Sequence, residues 1–153
     1  MGLFCMGGLI YERFKDFQRF IEEGIVKKIT KDKQRAENLY EESKRKFRLL
    51  KKTIEKMGID DDNSNDYIED CYNILIFLIR AKMLERGYSS SGQGAHEAEV
   101  CFSKELGFND NEVQILDKLR YFRNGILYYG KRFDKEYAEK IINFTKKKFN
   151  ELA

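Results

Sequence analysis

The sequence predicts an all-α protein, an up-and-down bundle of five or six helices that forms one domain over residues 1–153. Apolar residues recur at three- and four-residue spacing along most of the chain, which is the period of an amphipathic helix. Proline is absent, so no residue forces a helix to break. A chain of 153 residues is long enough to enclose one hydrophobic core and short for two.

Two helices are predicted before residue 59. The first runs from about Leu9 to Ile29, although Gly24 weakens its last turns. The second ends at Gly58 and carries a seam in which apolar steps of four and three residues alternate. Such a seam is typical of an antiparallel helical hairpin. The seam residues are Ala36, Tyr40, Ser43, Phe47, Leu50, Ile54 and Met57.

A third helix is predicted from about Asn65 to Arg86, with Ser64 or Asn65 as its N-cap. Its segment Ile74–Ile79 is apolar on every side and therefore needs cover all round. This predicts either the central helix of the bundle or part of an oligomer interface. The segment is too short to span a bilayer, so no association with a membrane is expected.

The C-terminal half predicts a connector followed by three helices. Gly87–Gly94 is rich in glycine and serine and is interpreted as a flexible link. A short helix follows from Ala95 to Leu106, and the next helix ends at Gly130. The predicted N-caps of the last two helices are Asn109, with Glu112 completing a capping box, and Asp134.

Charge and cysteine content restrict the function classes. Between Lys27 and Lys56, twelve Lys or Arg and five Asp or Glu leave an excess of seven positive charges, whereas the whole chain carries +3. This stretch is either a phosphate-attracting stripe or the solvated face of a lysine-rich helix. Three separated cysteines and one histidine do not make a zinc pattern, so neither a metal nor a cofactor is predicted. The odd cysteine count, without a secretory segment, indicates a reducing, cytoplasmic setting, and Cys71 and Cys101 are predicted to be core residues.

The helix that ends at Gly130 carries an unusual polar pair. Arg123 and Asn124 follow Phe122 at the edge of its apolar face. Arginine resists burial without a partner, and asparagine is a poor residue for a helix interior. Two interpretations stay open. Arg123 either pairs with a carboxylate near an ordinary helix end, or it belongs to a functional site.

The order Arg123, Asn124 and then Tyr128 resembles the helical motif of the HEPN superfamily, small all-helical proteins of prokaryotes and higher eukaryotes. In that family an arginine, often followed by asparagine, precedes a histidine where this chain has Tyr128. The linker Gly92-Gln93-Gly94-Ala95-His96-Glu97-Ala98 also resembles a HEPN linker that ends in glycine and histidine. The resemblance is strongest over residues 66–152. HEPN proteins with an intact motif are often metal-independent ribonucleases, whose dimer brings two arginines and two histidines into one cleft.

The resemblance implies that Arg123 stabilises a phosphate and that Asn124 positions the arginine or the substrate. Tyr128 is a poor substitute for a histidine base, because a phenol with a pKa of about 10 is almost fully protonated at pH 7. His96 is the other candidate base. Further candidates for contact with phosphate or RNA are Arg120, Tyr129 and Lys131.

The predicted function is therefore a homodimeric module of a toxin–antitoxin or defence system. It would bind RNA, nucleotide phosphates or a partner protein, and a nucleotidyltransferase is the candidate partner. The alternative is an active, metal-independent HEPN endoribonuclease that uses Arg123 with Tyr128 or His96. A third alternative is a purely structural dimer without a ligand.

Overall fold

The computed structural model describes residues 17–153, and for Leu127 and Tyr128 it describes the backbone only. This part of the chain forms six α-helices and one two-stranded sheet, which confirms the all-α prediction. The helices are α1 (Phe17–Glu22), α2 (Lys33–Met57), α3 (Ser64–Glu85), α4 (Ala95–Phe102), α5 (Asp110–Tyr129) and α6 (Lys135–Leu152). The strands are β1 (Val26–Lys28) and β2 (Tyr88–Ser90).

Helix α3 is the centre of the bundle, which is the first of the two alternatives that its apolar segment left open. It packs against α2 and α6 along its length and also contacts α4 and α5. In the segment Ile74–Ile79 only Phe77 keeps partial exposure, and the other five side chains are at most 2% exposed. One chain therefore covers this segment, and α3 needs no second subunit for that purpose. None of the helices in the described part of the chain is long and apolar enough to cross a membrane.

Helix α2 uses its predicted seam to pack against α3. The fully buried seam residues are Ala36, Ser43, Phe47 and Leu50. Met57 is the exception, since it is 67% exposed in the last turn of the helix. Ser43 is accommodated because its Oγ donates a hydrogen bond of 2.8 Å to the carbonyl oxygen of Ile74. The helical hairpin of this protein is thus α2 with α3.

The first predicted helix, Leu9 to Ile29, is wrong in its C-terminal part. Helix α1 ends at Glu22, and Gly24 has a φ of 76°, which a continuous right-handed helix cannot contain. Val26–Lys28 then forms β1, antiparallel to β2. The β-branched residues around it favour this extended conformation over a helix. The predicted part from Leu9 to Asp16 lies outside the described residues.

The connector Gly87–Gly94 contains a strand that the sequence did not predict. Its residues Tyr88–Ser90 form β2, and the backbone N–H of Ser91 donates to the carbonyl oxygen of Ile25 at 3.1 Å. Gly94 has a φ of 90°, and a Cβ at this position would lie 3.1 Å from Cδ1 of Ile25. Glycine is therefore required where this segment meets Ile25 and helix α4 begins.

Helix ends after residue 100 follow the predictions closely. The Asn109 side chain accepts from the backbone N–H of Glu112 at 2.9 Å, and the Glu112 carboxylate accepts from the backbone N–H of Asn109 at 3.0 Å. This confirms the capping box. The Asp134 side chain caps α6, and Gly130, with a φ of 62°, ends α5. The predicted helix up to Leu106 is α4 followed by a 3-10 turn.

The predicted N-cap of α3 is wrong by one or two residues. The cap is Asn63, and Ser64 and Asn65 lie in the first turn. Asn65 instead contacts the loop between α5 and α6. Its Nδ2 donates to the carbonyl oxygen of Lys131 at 2.7 Å, and its Oδ1 accepts from the backbone N–H of Phe133 at 2.9 Å. This tertiary contact gives the side chain other partners than its own helix end.

Cys71 and Cys101 are core residues, as predicted. Their exposed fractions are 0% and 1%. Burial raises the pKa of the Cys71 thiol to about 12, so this thiol stays protonated at neutral pH. Cys71 therefore serves the packing of the core.

Candidate functional site

Four of the seven predicted site residues lie around one surface cavity of about 380 Å³. These four are His96, Arg120, Arg123 and Asn124. Helix α5 supplies three of them, because positions separated by three or four residues share one helix face. The remaining lining residues are Tyr72, Gly92, Gln93, Gly94 and Glu97. Ligand pockets in proteins usually enclose about 300 to 1,000 Å³, so the cavity is large enough for a small ligand.

Tyr129 and Lys131 do not line this cavity. Tyr129 is 87% exposed at the end of α5, and six helical positions place it about 240° round the axis from Arg123. The Lys131 ammonium lies 5.8 Å from the ring centroid of Phe122 and 5.6 Å from that of Phe133. These cation–π contacts hold the lysine against the loop after α5. Tyr128 lies in the last turn of α5.

The two arginines of the cavity differ in their partners. Arg120 Nε donates to Oδ1 of the buried Asp117 at 3.1 Å, and its Nη1 lies 3.6 Å from Oε1 of Glu97. These two carboxylates offset the charge of Arg120. Within residues 17–153, no carboxylate lies within ion-pair distance of Arg123. Among the described residues, Arg123 is therefore not part of an ion pair. The positive charge of its guanidinium is available to a ligand.

A buried ion pair fastens the helix that carries His96. Glu99 of α4 is 0% exposed and accepts from Nε of Arg80 at 2.8 Å and from Nη2 at 3.0 Å. This bidentate contact joins α4 to α3 one turn after His96. Neither partner was predicted from the sequence as a site residue. The signal was a glutamate within an apolar stretch of a short helix, since such a charge needs a partner when it is buried.

His96 lies between the cavity and a buried tyrosine. Its Nδ1 is 3.1 Å from Oη of Tyr72, and the two ring planes are 24° apart. The residue keeps an exposed edge, yet the shielding of its ring from water lowers the pKa of His96. The carboxylate of Glu99 opposes this effect, and nearby guanidinium groups add to it. An ordinary histidine, with a pKa of about 6.5, is already mostly neutral at pH 7, and the lowered pKa makes the neutral form of His96 still more predominant.

Two glycines of the segment before α4 line the cavity, Gly92 and Gly94, with positive φ angles of 75° and 90°. A Cβ at Gly92 would meet no atom within 4 Å, so its backbone is accessible to a ligand, whereas a Cβ at Gly94 would lie against the side chain of Ile25. Among residues 17–153, no group of three or more His, Cys, Asp or Glu side chains is arranged to hold a metal ion.

Comparisons with protein-family models, with curated proteins and with solved structures find no match for this chain. The interpretation of the site therefore depends on its own chemistry. A guanidinium without a carboxylate partner, an exposed amide at Asn124 and a neutral imidazole converge on one cavity. Such a set of donors is suited to an anionic ligand.

Proposed function

We propose that this protein binds phosphate groups of RNA or nucleotides in the cavity lined by Arg123, here called the Arg123 cavity, and that it does not cleave the bound RNA or nucleotide. The observation that carries the proposal is the position of the Arg123 guanidinium, which lines the cavity and has no carboxylate partner among the described residues. Arginine is permanently charged and can donate two parallel hydrogen bonds to a phosphate. The HEPN resemblance of Arg123-Asn124 supports the same role, in a module of the toxin–antitoxin or defence type.

The neighbours of Arg123 suit a phosphate. Asn124 is exposed at the cavity and offers two donors and one acceptor. Glu97 is the one acidic residue among the described residues of the lining, and its carboxylate lies 3.6 Å from Arg120. Arg120 is engaged by this carboxylate and by the buried Asp117, whereas Arg123 has no carboxylate partner among the described residues. The guanidinium of Arg123 is therefore the group of the lining that favours an anion.

Cleavage of RNA is a second candidate function, because His96 lines the same cavity as Arg123. In this mechanism the imidazole removes the proton of a ribose 2′-hydroxyl, and Arg123 stabilises the negative charge that develops on the phosphate. We rank it second because the motif position of the HEPN histidine holds Tyr128 in this chain.

The variant Arg123→Ala is expected to bind a short single-stranded RNA about ten- to a hundredfold more weakly than the wild type, the usual effect of losing a charge-assisted hydrogen bond. The slope of log K against log salt should also become less steep by about 0.7, because one phosphate contact is lost. The melting temperature should be nearly unchanged, since no described ion pair is broken. Fluorescence anisotropy with labelled RNA and thermal melting measure the three quantities.

Arg19→Ala is the matched control, because Arg19 is an exposed arginine of α1 outside the cavity and outside the basic stretch Lys27–Lys56, and its loss changes the net charge equally. Equal RNA affinity in the wild type, Arg123→Ala and Arg19→Ala would contradict the proposed function. The same RNA, incubated in EDTA between pH 6 and 8, tests the second candidate. We expect no cleavage. Cleavage by the wild type that disappears in a folded His96→Ala variant would establish the ribonuclease in its place.

We further propose that the protein is a homodimer, as the resemblance implies. Helix α5 supports this with Tyr121 and Tyr129, which are 52% and 87% exposed. Light scattering at micromolar concentration is expected to give about twice the chain mass of 18.2 kDa. A mass of one chain would refute the dimer and leave the phosphate site of the single chain intact.

A further inference from the structure

The Arg123 cavity contains a buried phenol that the proposed function does not use. Tyr72 projects from the central helix α3, is 1% exposed and lines the cavity. Its Oη lies 3.1 Å from Nδ1 of His96, and the ring centroids of the two residues are 6.1 Å apart. A phenol and an imidazole of the same cavity are thus joined by one hydrogen bond.

The direction of this hydrogen bond follows from the environment of the phenol. Among residues 17–153, His96 Nδ1 is the one hydrogen-bond partner of Tyr72 Oη. A buried hydroxyl that donates to no acceptor is costly, so the phenol donates and Nδ1 accepts. A neutral imidazole carries a single proton, and this proton must then lie on Nε2. Burial also raises the pKa of the Tyr72 phenol, so that its hydroxyl keeps the proton that it donates.

We propose that Tyr72 is a positioning residue that holds His96 as the Nε2–H tautomer, so that His96 donates a hydrogen bond to an oxygen of the phosphate bound beside Arg123. The ligand is the phosphate group of the proposed function, and the role of His96 as a donor to this ligand rests on that function. In this arrangement Nδ1 is occupied by Tyr72, and Nε2 has no lone pair to accept a proton. His96 acts as a neutral donor and cannot act as a base until the bond to Tyr72 breaks.

The charged groups around His96 are compatible with a neutral donor. Those that influence its titration are Glu99, Arg80, Arg123 and Arg120. Glu99 is already bonded to Arg80, so its carboxylate is engaged and does not have to form an ion pair with an imidazolium. A cationic His96 would also repel the guanidinium of Arg123 across the cavity. A neutral N–H adds a directional contact without that repulsion.

The experiment uses the full chain labelled with ¹⁵N-histidine. His96 is the one histidine of the sequence, so every imidazole signal is assigned without ambiguity. At pH 7.5 the wild type is expected to show a protonated Nε2 and an unprotonated Nδ1. Tyr72→Phe should shift both nitrogens toward an average of the two tautomers. It should also weaken binding of inorganic phosphate about two- to tenfold, the range of one neutral hydrogen bond.

Tyr67→Phe is the control for the loss of a buried phenol, because Tyr67 is 2% exposed on the same helix and donates to the carbonyl oxygen of Gly58 at 2.9 Å. It should leave the signals of His96 and the phosphate affinity unchanged. A proton on Nδ1 in the wild type, or identical ¹⁵N shifts in Tyr72→Phe, would overturn the proposal. The tautomer is measured without ligand, so this result does not depend on whether phosphate binds at Arg123.

His96→Gln provides a second test of the donor role. Its amide can place an N–H near the position of Nε2, whereas His96→Ala removes the donor. We expect His96→Gln to keep phosphate affinity within about twofold of the wild type and His96→Ala to lose about two- to tenfold. Equal losses in the two variants would show that no N–H from this position reaches the phosphate.

Discussion

Replacing Arg80 with alanine is expected to lower the free energy of unfolding by about 3 kcal/mol, because it leaves the buried Glu99 carboxylate without its partner. Glu99 is 0% exposed and receives two hydrogen bonds from this one guanidinium. The Arg80 side chain itself is 29% exposed, so water can reach the vacated position, and we expect the lower end of the usual range. Urea denaturation of the wild type and the variant measures the difference.

Arg19→Ala is the matched control for this prediction. Arg19 makes an ion pair of 3.0 Å with Glu23, but the two side chains are 69% and 48% exposed. Its loss should cost less than about 1 kcal/mol. The double variant Arg80→Met with Glu99→Leu should recover most of the loss, because apolar residues of similar size need no charge partner. A single variant Arg80→Ala as mild as Arg19→Ala would show that Glu99 does not depend on this contact.

Replacing Leu78 with alanine is expected to cost about 3 to 5 kcal/mol of unfolding free energy, through lost apolar burial and the cavity that remains. Leu78 is 0% exposed in the middle of α3, the helix that the other long helices surround. Leu78 belongs to a core cluster to which several helices contribute, so no single element can move to fill the space. Urea denaturation is again the measurement.

Leu49→Ala removes the same atoms from α2, where the side chain is 56% exposed. It should change the unfolding free energy by less than about 0.5 kcal/mol. A small loss in Leu78→Ala would mean that the centre of the bundle relaxes around α3 more than its packing indicates.

The features that the sequence predicted correctly depend on neighbours within a few residues. The capping box of Asn109 and Glu112 forms because the two residues are three positions apart, and the helix then aligns their groups. The seam of α2, which includes Ser43, and the apolar centre of α3 follow from helical periodicity. Local geometry determines such features in almost any fold.

The wrong predictions concern elements whose partners are distant in the chain. Helix α1 ends early because Val26–Lys28 pairs with a strand 60 to 64 positions further along the chain, and no local signal identifies that partner. Asn65 was predicted as a candidate cap, but it bonds to backbone groups 66 and 68 positions further on. Tertiary contacts outweighed local preference in both cases.

The chemistry of the candidate site was visible in the sequence, whereas its assembly was not. Arg123, Asn124 and His96 could be selected through the resemblance to the HEPN motif and linker, together with the phosphate or proton chemistry of their side chains. The bond between Tyr72 and His96 spans 24 positions, and the pair of Arg80 and Glu99 spans 19. A pattern of residue types does not show which residues so far apart in the chain will be in contact.

By itself, the sequence determined the helical class, the need of the apolar centre of α3 for cover on every side, and the residue types that a phosphate site would need. Only the tertiary structure decided that Arg120 is neutralised while Arg123 is not, and that His96 meets a buried phenol. The physical reason is that burial and ion pairing depend on which helix faces pack together. Helical periodicity defines those faces but does not specify their partners.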